Sequence, residues 1–337
     1  MKIIKGVFLG DKMTLSSKTI PSLIIDKVSS SINVEHSTAI TIIEKALAGG
    51  EITDFSSSDH WLNERFIPNC VFIDEDGYAK MCINALKILD KTAATYYGSS
   101  RQRDMGQLWA DMTRGYLGEY AFKLFLMQKY NIDTELGHER GNLSDYLPTD
   151  IHKIKRNGEN WVSPKLNISI KTTKWNGIWF DIPGDQFNHS DIHVFIKIGV
   201  GRNHLFAFFK KLSIFKDKIL MKGKEIGLLS EQEAVNLYDN LPSFSPVPAY
   251  ICGFIEKSAQ FKPLSYGGKC GKKNFTIKSW NGQICPGDLE KIKQREYISG
   301  SVKFEGIGKF AHDSGYLFNT GNLKYSPKDW ASVIERL

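Results

Sequence analysis

The stretch Asn167-Ile168-Ser169-Ile170-Lys171-Thr172-Thr173-Lys174-Trp175 decides how this chain is read. In an extended strand successive side chains leave on opposite faces. Asn167, Ser169, Lys171 and Thr173 therefore point one way, and Ile168 and Ile170 point the other way into a core. A lysine on a partly covered polar face is costly unless an anion or a metal-bound group lies beside it. Asp150, at the end of the run YLPTDI and ahead of a turn holding Asn157-Gly158, supplies such a charge if its strand lies next to that of Lys171.

Outward from this pair runs a ladder of short β-rich segments: residues 144–154, 177–182, 191–200 and 204–210 (HLFAFFK), with a further strand over 248–257. Asn176-Gly177 predicts a two-residue hairpin joining the Lys171 strand to the next, GIWFDI. Upstream, the spacing of apolar residues predicts helices over 38–48, with Ser37 or Thr38 as N-cap and Gly49 and Gly50 behind, and over 79–97. A longer helical pattern covers 101–130. Its interior Gly115 and Gly118 each cost about 1 kcal/mol relative to Ala, so either a neighbour packs closely there or the helix breaks in two. Residues 212–240 read as helical or irregular. SPKDWASVIERL closes the chain as a helix with Ser326 at the N-cap and Pro327 at its first position.

The 337 residues suit two or three domains or one large domain with insertions, and 42% hydrophobic with 12% aromatic residues is enough for a substantial core. No apolar run nears the ~20 residues that span a bilayer. Asp11 and Lys12 interrupt the opening too early for a signal-peptide core, and the five cysteines form no CxxC pair, so reduced thiols in a cytoplasmic protein are expected. GVGRNH lacks the third glycine of a dinucleotide fingerprint, and no GKS or GKT loop occurs, which argues against nucleotide-driven chemistry. The net charge of +7 is uneven: residues 257–337 carry 14 Lys and Arg against 7 Asp and Glu, while the remainder is balanced. A basic segment on a neutral body suits a polyanionic partner.

Pro148-Thr149-Asp150 ending one strand, followed by Ser169-Ile170-Lys171 on the next, resembles the PD-(D/E)XK nuclease superfamily over about residues 110–210. The pattern departs from the family in two places: Thr149 separates the proline from the aspartate, and Ser169 stands where an Asp or Glu is usual. Glu119, in the GYLGEYAF helix, is similar to the upstream acid of many members. The family consists of metal-dependent DNA nucleases, and some restriction enzymes with Ser at this position take the acid from elsewhere, for which Glu119, Asp181 and Asp185 are candidates.

The resemblance implies an α+β fold, a central mixed β-sheet flanked by helices in the restriction-endonuclease manner. An N-terminal helical region (1–100), a catalytic core (101–256) and a basic C-terminal lobe (257–337) are expected. It further implies Mg²⁺ held by Asp150 with Glu119 or Asp185 and the Ile170 carbonyl, and Lys171 acting on the attacking water beside Ser169. The expected partner is double-stranded DNA, contacted by Lys174, Arg101, Arg103, Lys269, Lys272, Lys273 and Lys278, and cut by a homodimer as a type II restriction enzyme would. A repair or junction nuclease of the same superfamily, an inactive DNA-binding protein with a degenerate nuclease core, and a small-molecule enzyme are the alternatives.

Overall fold

The computed structural model describes residues 20–89, 104–137, 149–258, 266–271, 273–308, 310, 312 and 314–337. The strands in chain order are β1 (Cys70–Ile73), β2 (Ile132–Leu136), β3 (Ile151–Arg156), β4 (Ile168–Lys174), β5 (Trp179–Pro183) and β6 (Ile192–Ile198). They continue with β7 (Val247–Glu256), β8 (Tyr266–Cys270), β9 (Phe275–Ile284), β10 (Val302–Phe304) and β11 (Gly315–Asn319).

The first sheet has the order β1-β7-β6-β4 and is mixed: β4 runs parallel to β6, and the other pairs are antiparallel. β6 reads IHVFIKI and is buried at all seven positions, as a strand covered on both faces must be. One face, through Ile168, Ile170, Val194 and Ile196, packs on the long helix Met105–Tyr130, the helix Glu75–Lys87 and Trp330 of the terminal helix Pro327–Ile334. The other face, through Phe195, Tyr250 and Cys252, meets the N-terminal helices Ser22–Ile32 and His36–Ala48 and part of a second sheet. That second sheet runs β10-β9-β11-β5 with β8 on β9, and its far side closes a third core around Trp179, Trp280 and Phe304. The molecule is therefore a mixed α+β protein.

Several expectations change. Asn176-Gly177 does form a turn, with the Gly177 amide bonded to the Lys174 carbonyl at 3.0 Å, but it does not close a hairpin. β4 stays in the first sheet beside β6, whereas β5 pairs with β11 in the second. The turn signal is local and does not choose the partner of the strand that follows. HLFAFFK, expected as a strand, lies in the helix Arg202–Lys211. Leu205, Phe208 and Phe209 share one helical face on the first core, and the Gly201 amide donates to His204 Nδ1 at 3.0 Å at its start. The helix expected from 79 begins at Glu75, where the Asp74 carboxylate caps the Gly77 amide at 2.8 Å. The helix expected at 38 begins at His36. Met105–Tyr130 is one unbroken helix, and the terminal helix has the expected Ser326 cap and Pro327.

The C-terminal stretch is woven into the body. β11 joins β5 to β9, and Trp330 packs on Phe122, Phe125 and Phe254 of the first core.

Candidate active site

β4 is an edge strand, and its open side is met by the chain just before β3. The Asp150 amide donates to the Ile168 carbonyl at 2.8 Å, and Thr149 Oγ1 accepts from the Ile168 amide at 3.2 Å. The Ile170 amide then donates not to backbone but to Asp150 Oδ2, at 2.6 Å. One carboxylate oxygen thus replaces a strand partner and is fixed one residue before Lys171. The amide and carbonyl of a residue leave an extended strand on the same side, so the Ile170 carbonyl shares that edge with the Asp150 carboxylate. Asp150 precedes β3, which turns away to pair with β2, so the acid sits at a strand's beginning rather than at its end as expected.

The long helix crosses the same strand one residue beyond Lys171. A Cβ built on Gly118 would lie 1.8 Å from Thr172 Oγ1, so only glycine permits this approach. Gly115 meets nothing within 4 Å and has no such reason. The next residue, Glu119, is 7% exposed. Asp150 meets β4 at Ile170 and Gly118 of the helix meets it at Thr172, on the face of the strand opposite to the Lys171 side chain.

Ser169 and Lys171 point to the opposite face, toward the second core. Ser169 lies opposite His193 in the parallel register, and Lys171 lies opposite Phe195. His193 is fully buried, its ring stacked on Phe187 at 5.0 Å and its Nε2 donating to the Phe187 carbonyl at 3.1 Å. Burial first, and then the Lys171 ammonium, push its pKa down to about 4 despite the carbonyl, so it is neutral at pH 7. In the sequence His193 lies close to the strand of Lys171, with a spacing from His189 that does not match a metal pair. Its place beside Ser169 and Lys171 follows from the β4–β6 register, which Asp191 helps to fix by accepting the Asn167 amide at 2.9 Å.

No family model, curated protein or solved structure matches this chain.

The other expected residues are more dispersed. Asp185 is exposed on the short helix Gly184–His189. Asp181, on β5, is bound to His312 at 3.3 Å and holds that histidine's pKa above its ordinary value. It shares a register row with Leu317 of the third core, on the side of the second sheet turned away from Lys171. Lys174 ends β4 exposed, Lys269 and Lys273 are exposed around the β8–β9 turn, and Lys278 lies 3.9 Å from Glu305. Arg101, Arg103, Lys272 and Pro148 lie outside the described residues. Trp179 and Trp280 are buried in the third core, while Trp161 is 42% exposed.

The donor set suits a hard cation. An aspartate carboxylate and a main-chain carbonyl on one strand edge, with a glutamate on the adjoining helix, are oxygen ligands of the kind Mg²⁺ accepts, and Mg²⁺ needs only one or two carboxylates because it retains waters. No group of three or more His, Cys, Asp and Glu side chains that could hold a metal occurs among the described residues.

A second ionic cluster lies deeper. Glu51 accepts from Lys197 at 2.9 Å, from Tyr250 at 2.8 Å and from Trp61 at 3.1 Å, and it has no exposed side-chain surface. Burial alone would raise its pKa, yet Lys197 and Arg65 hold it down at about 2. Arg65 in turn donates to the carbonyls of Cys252 and Thr320 at 3.2 and 2.6 Å. With every partner enclosed, this network locks the N-terminal helices to β6 and β7 and leaves no access for a substrate.

Proposed function

We propose that this protein is a Mg²⁺-dependent endonuclease that hydrolyses phosphodiester bonds of double-stranded DNA, a sequence-specific enzyme of the type II restriction kind acting as a homodimer. The observation that carries the reading is the Asp150–Ile170 hydrogen bond, which seats a carboxylate and a carbonyl on the edge of the strand that presents Lys171.

Phosphodiester hydrolysis needs charge neutralised on the phosphate and hydroxide supplied near neutral pH. A bound Mg²⁺ supplies both. Asp150 and the Ile170 carbonyl would hold it, with Glu119 as second acid. Asp185 remains the alternative second acid. The Lys171 ammonium donates to and orients the attacking water, or stabilises the charge that builds on phosphorus. His193, neutral at pH 7, adds no charge of its own behind Lys171, and Ser169 offers a hydroxyl to the water on the same face.

Plasmid or phage DNA incubated with the full chain in Mg²⁺, against an EDTA control, tests the reading. Discrete metal-dependent fragments are expected. A smear would remove the sequence-specific part and favour a repair-type nuclease, and intact DNA would remove the enzyme. Ser169 in place of the usual acid favours one second reading, a DNA-binding protein on a degenerate nuclease core. It gives bound but uncut DNA under every divalent cation.

A further inference from the structure

β8, β9 and β10 lie side by side in the second sheet and carry Lys269, Lys278 and Lys303 without one Asp or Glu inside their bounds. Register places Lys269, Thr276 and Lys303 in one row across the three strands. The two lysines are therefore two strand spacings apart, about 10 Å. Phe275, Ile277, Trp280 and Ile284 turn into the third core. Ser279, Asn281 and Gln283 face the other way and are exposed, as are Lys269 and Lys303. Lys278 lies 3.9 Å from Glu305, just past the end of β10.

The face also has a defined position. Asn281 is paired in register with Phe318 and Gln283 with Tyr316. Phe318 and Tyr316 pack in the second core, against the side of the first sheet on which Lys171 stands. A continuous stack links the two: Tyr316 lies on Phe187 at 3.7 Å, Phe187 lies on His193 at 5.0 Å, and His193 is opposite Ser169. The polar surface of β9 is thus the exposed continuation of the layer that meets the candidate active site.

We infer that this face of β8–β10 is the DNA-reading surface, with Lys269 and Lys303 on backbone phosphates and Asn281 and Gln283 on base edges. The inference rests on the DNA half of the proposed function and adds the residues that set its sequence preference. Lysine neutralises phosphate without reading sequence, whereas Asn and Gln can bond the N6 and N7 edge of adenine in two places at once. The major groove of B-form DNA, about 12 Å wide, admits a two-stranded β-ribbon, while the deep narrow groove of an RNA duplex does not.

The test uses the full chain in EDTA, with a duplex pool randomised at its centre, affinity measured by anisotropy against salt, and retained duplexes sequenced. K269A/K303A is expected to weaken binding to every duplex by about tenfold and to lower the salt slope by close to 2, while K269R/K303R restores both. N281A and Q283A are each expected to lose about 5- to 150-fold discrimination for adenine at one position, with binding to unrelated duplexes unchanged. An unaltered salt slope in K269A/K303A, an unaltered preference in both N281A and Q283A, or preferred binding of an RNA duplex overturns the inference. Cleavage in Mg²⁺ is scored separately. Cutting by the wild type while the variants bind like it sinks the reading face and spares the nuclease. DNA held at this face but never cut sinks the nuclease and spares the face.

Discussion

Asp150 Oδ2 accepts the Ile170 amide at 2.6 Å, so a single side chain both completes the edge of β4 and carries the charge on which the proposed chemistry depends. The two roles separate by substitution. Asp150→Asn keeps an acceptor oxygen for the amide but removes the charge, so it should melt within a few degrees of wild type and cut nothing. Asp150→Ala leaves the amide without its acceptor, which costs roughly 1–3 kcal/mol. Thermal unfolding of both variants beside a plasmid assay distinguishes the roles, and equal melting points would remove the structural one.

Lys171→Ala should abolish cleavage and retain DNA binding. It should also let the His193 pKa rise from about 4 toward its ordinary value, because the ammonium is the second cause of the depression after burial. Histidine ring shifts followed by NMR against pH in the variant report this. An unmoved His193 would mean that Lys171 does not face it.

Gly118→Ala and Gly115→Ala should act in opposite directions. The first drives a methyl into Thr172, 1.8 Å away, and should cost about 1–3 kcal/mol and lower the cleavage rate by moving the helix off β4. The second meets nothing within 4 Å and should be neutral or stabilise by up to about 1 kcal/mol. Denaturant midpoints and initial rates measure both, and equal effects would contradict the packing.

Acid should unfold the protein in two stages. His193 is depressed from 6.5 to about 4, so the unfolded chain takes up its proton first, and stability falls as pH drops from 6.5 toward 4. Glu51 is depressed from 4.5 to about 2, so its contribution is present above 4.5 and is lost as pH falls from 4.5 toward 2. His193→Gln should make the upper stage shallower and leave the lower one unchanged in a series of urea midpoints against pH, the remaining slope coming from His204, whose pKa burial also lowers. A profile unchanged between pH 4 and 6.5 would refute the assignment.

Glu51→Ala should be among the most damaging single substitutions, at about 3–5 kcal/mol, because it leaves Lys197 and Arg65 buried without their anion. Urea unfolding measures it. A loss under 1 kcal/mol would show that the cluster is not closed.

The alternation in residues 167–173, the cap at Ser326 and the apolar face of the long helix act over a few residues, and the sequence alone determined them. That is why β4, β6, β7 and the terminal helix could be read directly. HLFAFFK misled because a short apolar run fits either period, and burial of Leu205, Phe208 and Phe209 on one core settled it as a helix. Only the tertiary structure decided that β5 leaves β4 for β11, that Gly118 rather than Gly115 is required, that His193 stands beside Lys171, and that Asn281 and Gln283 lie on an exposed face next to Lys269 and Lys303. Each of these depends on which distant segment is the neighbour. Strand pairing and core packing make that choice between residues far apart in the chain, through contacts that no local pattern encodes.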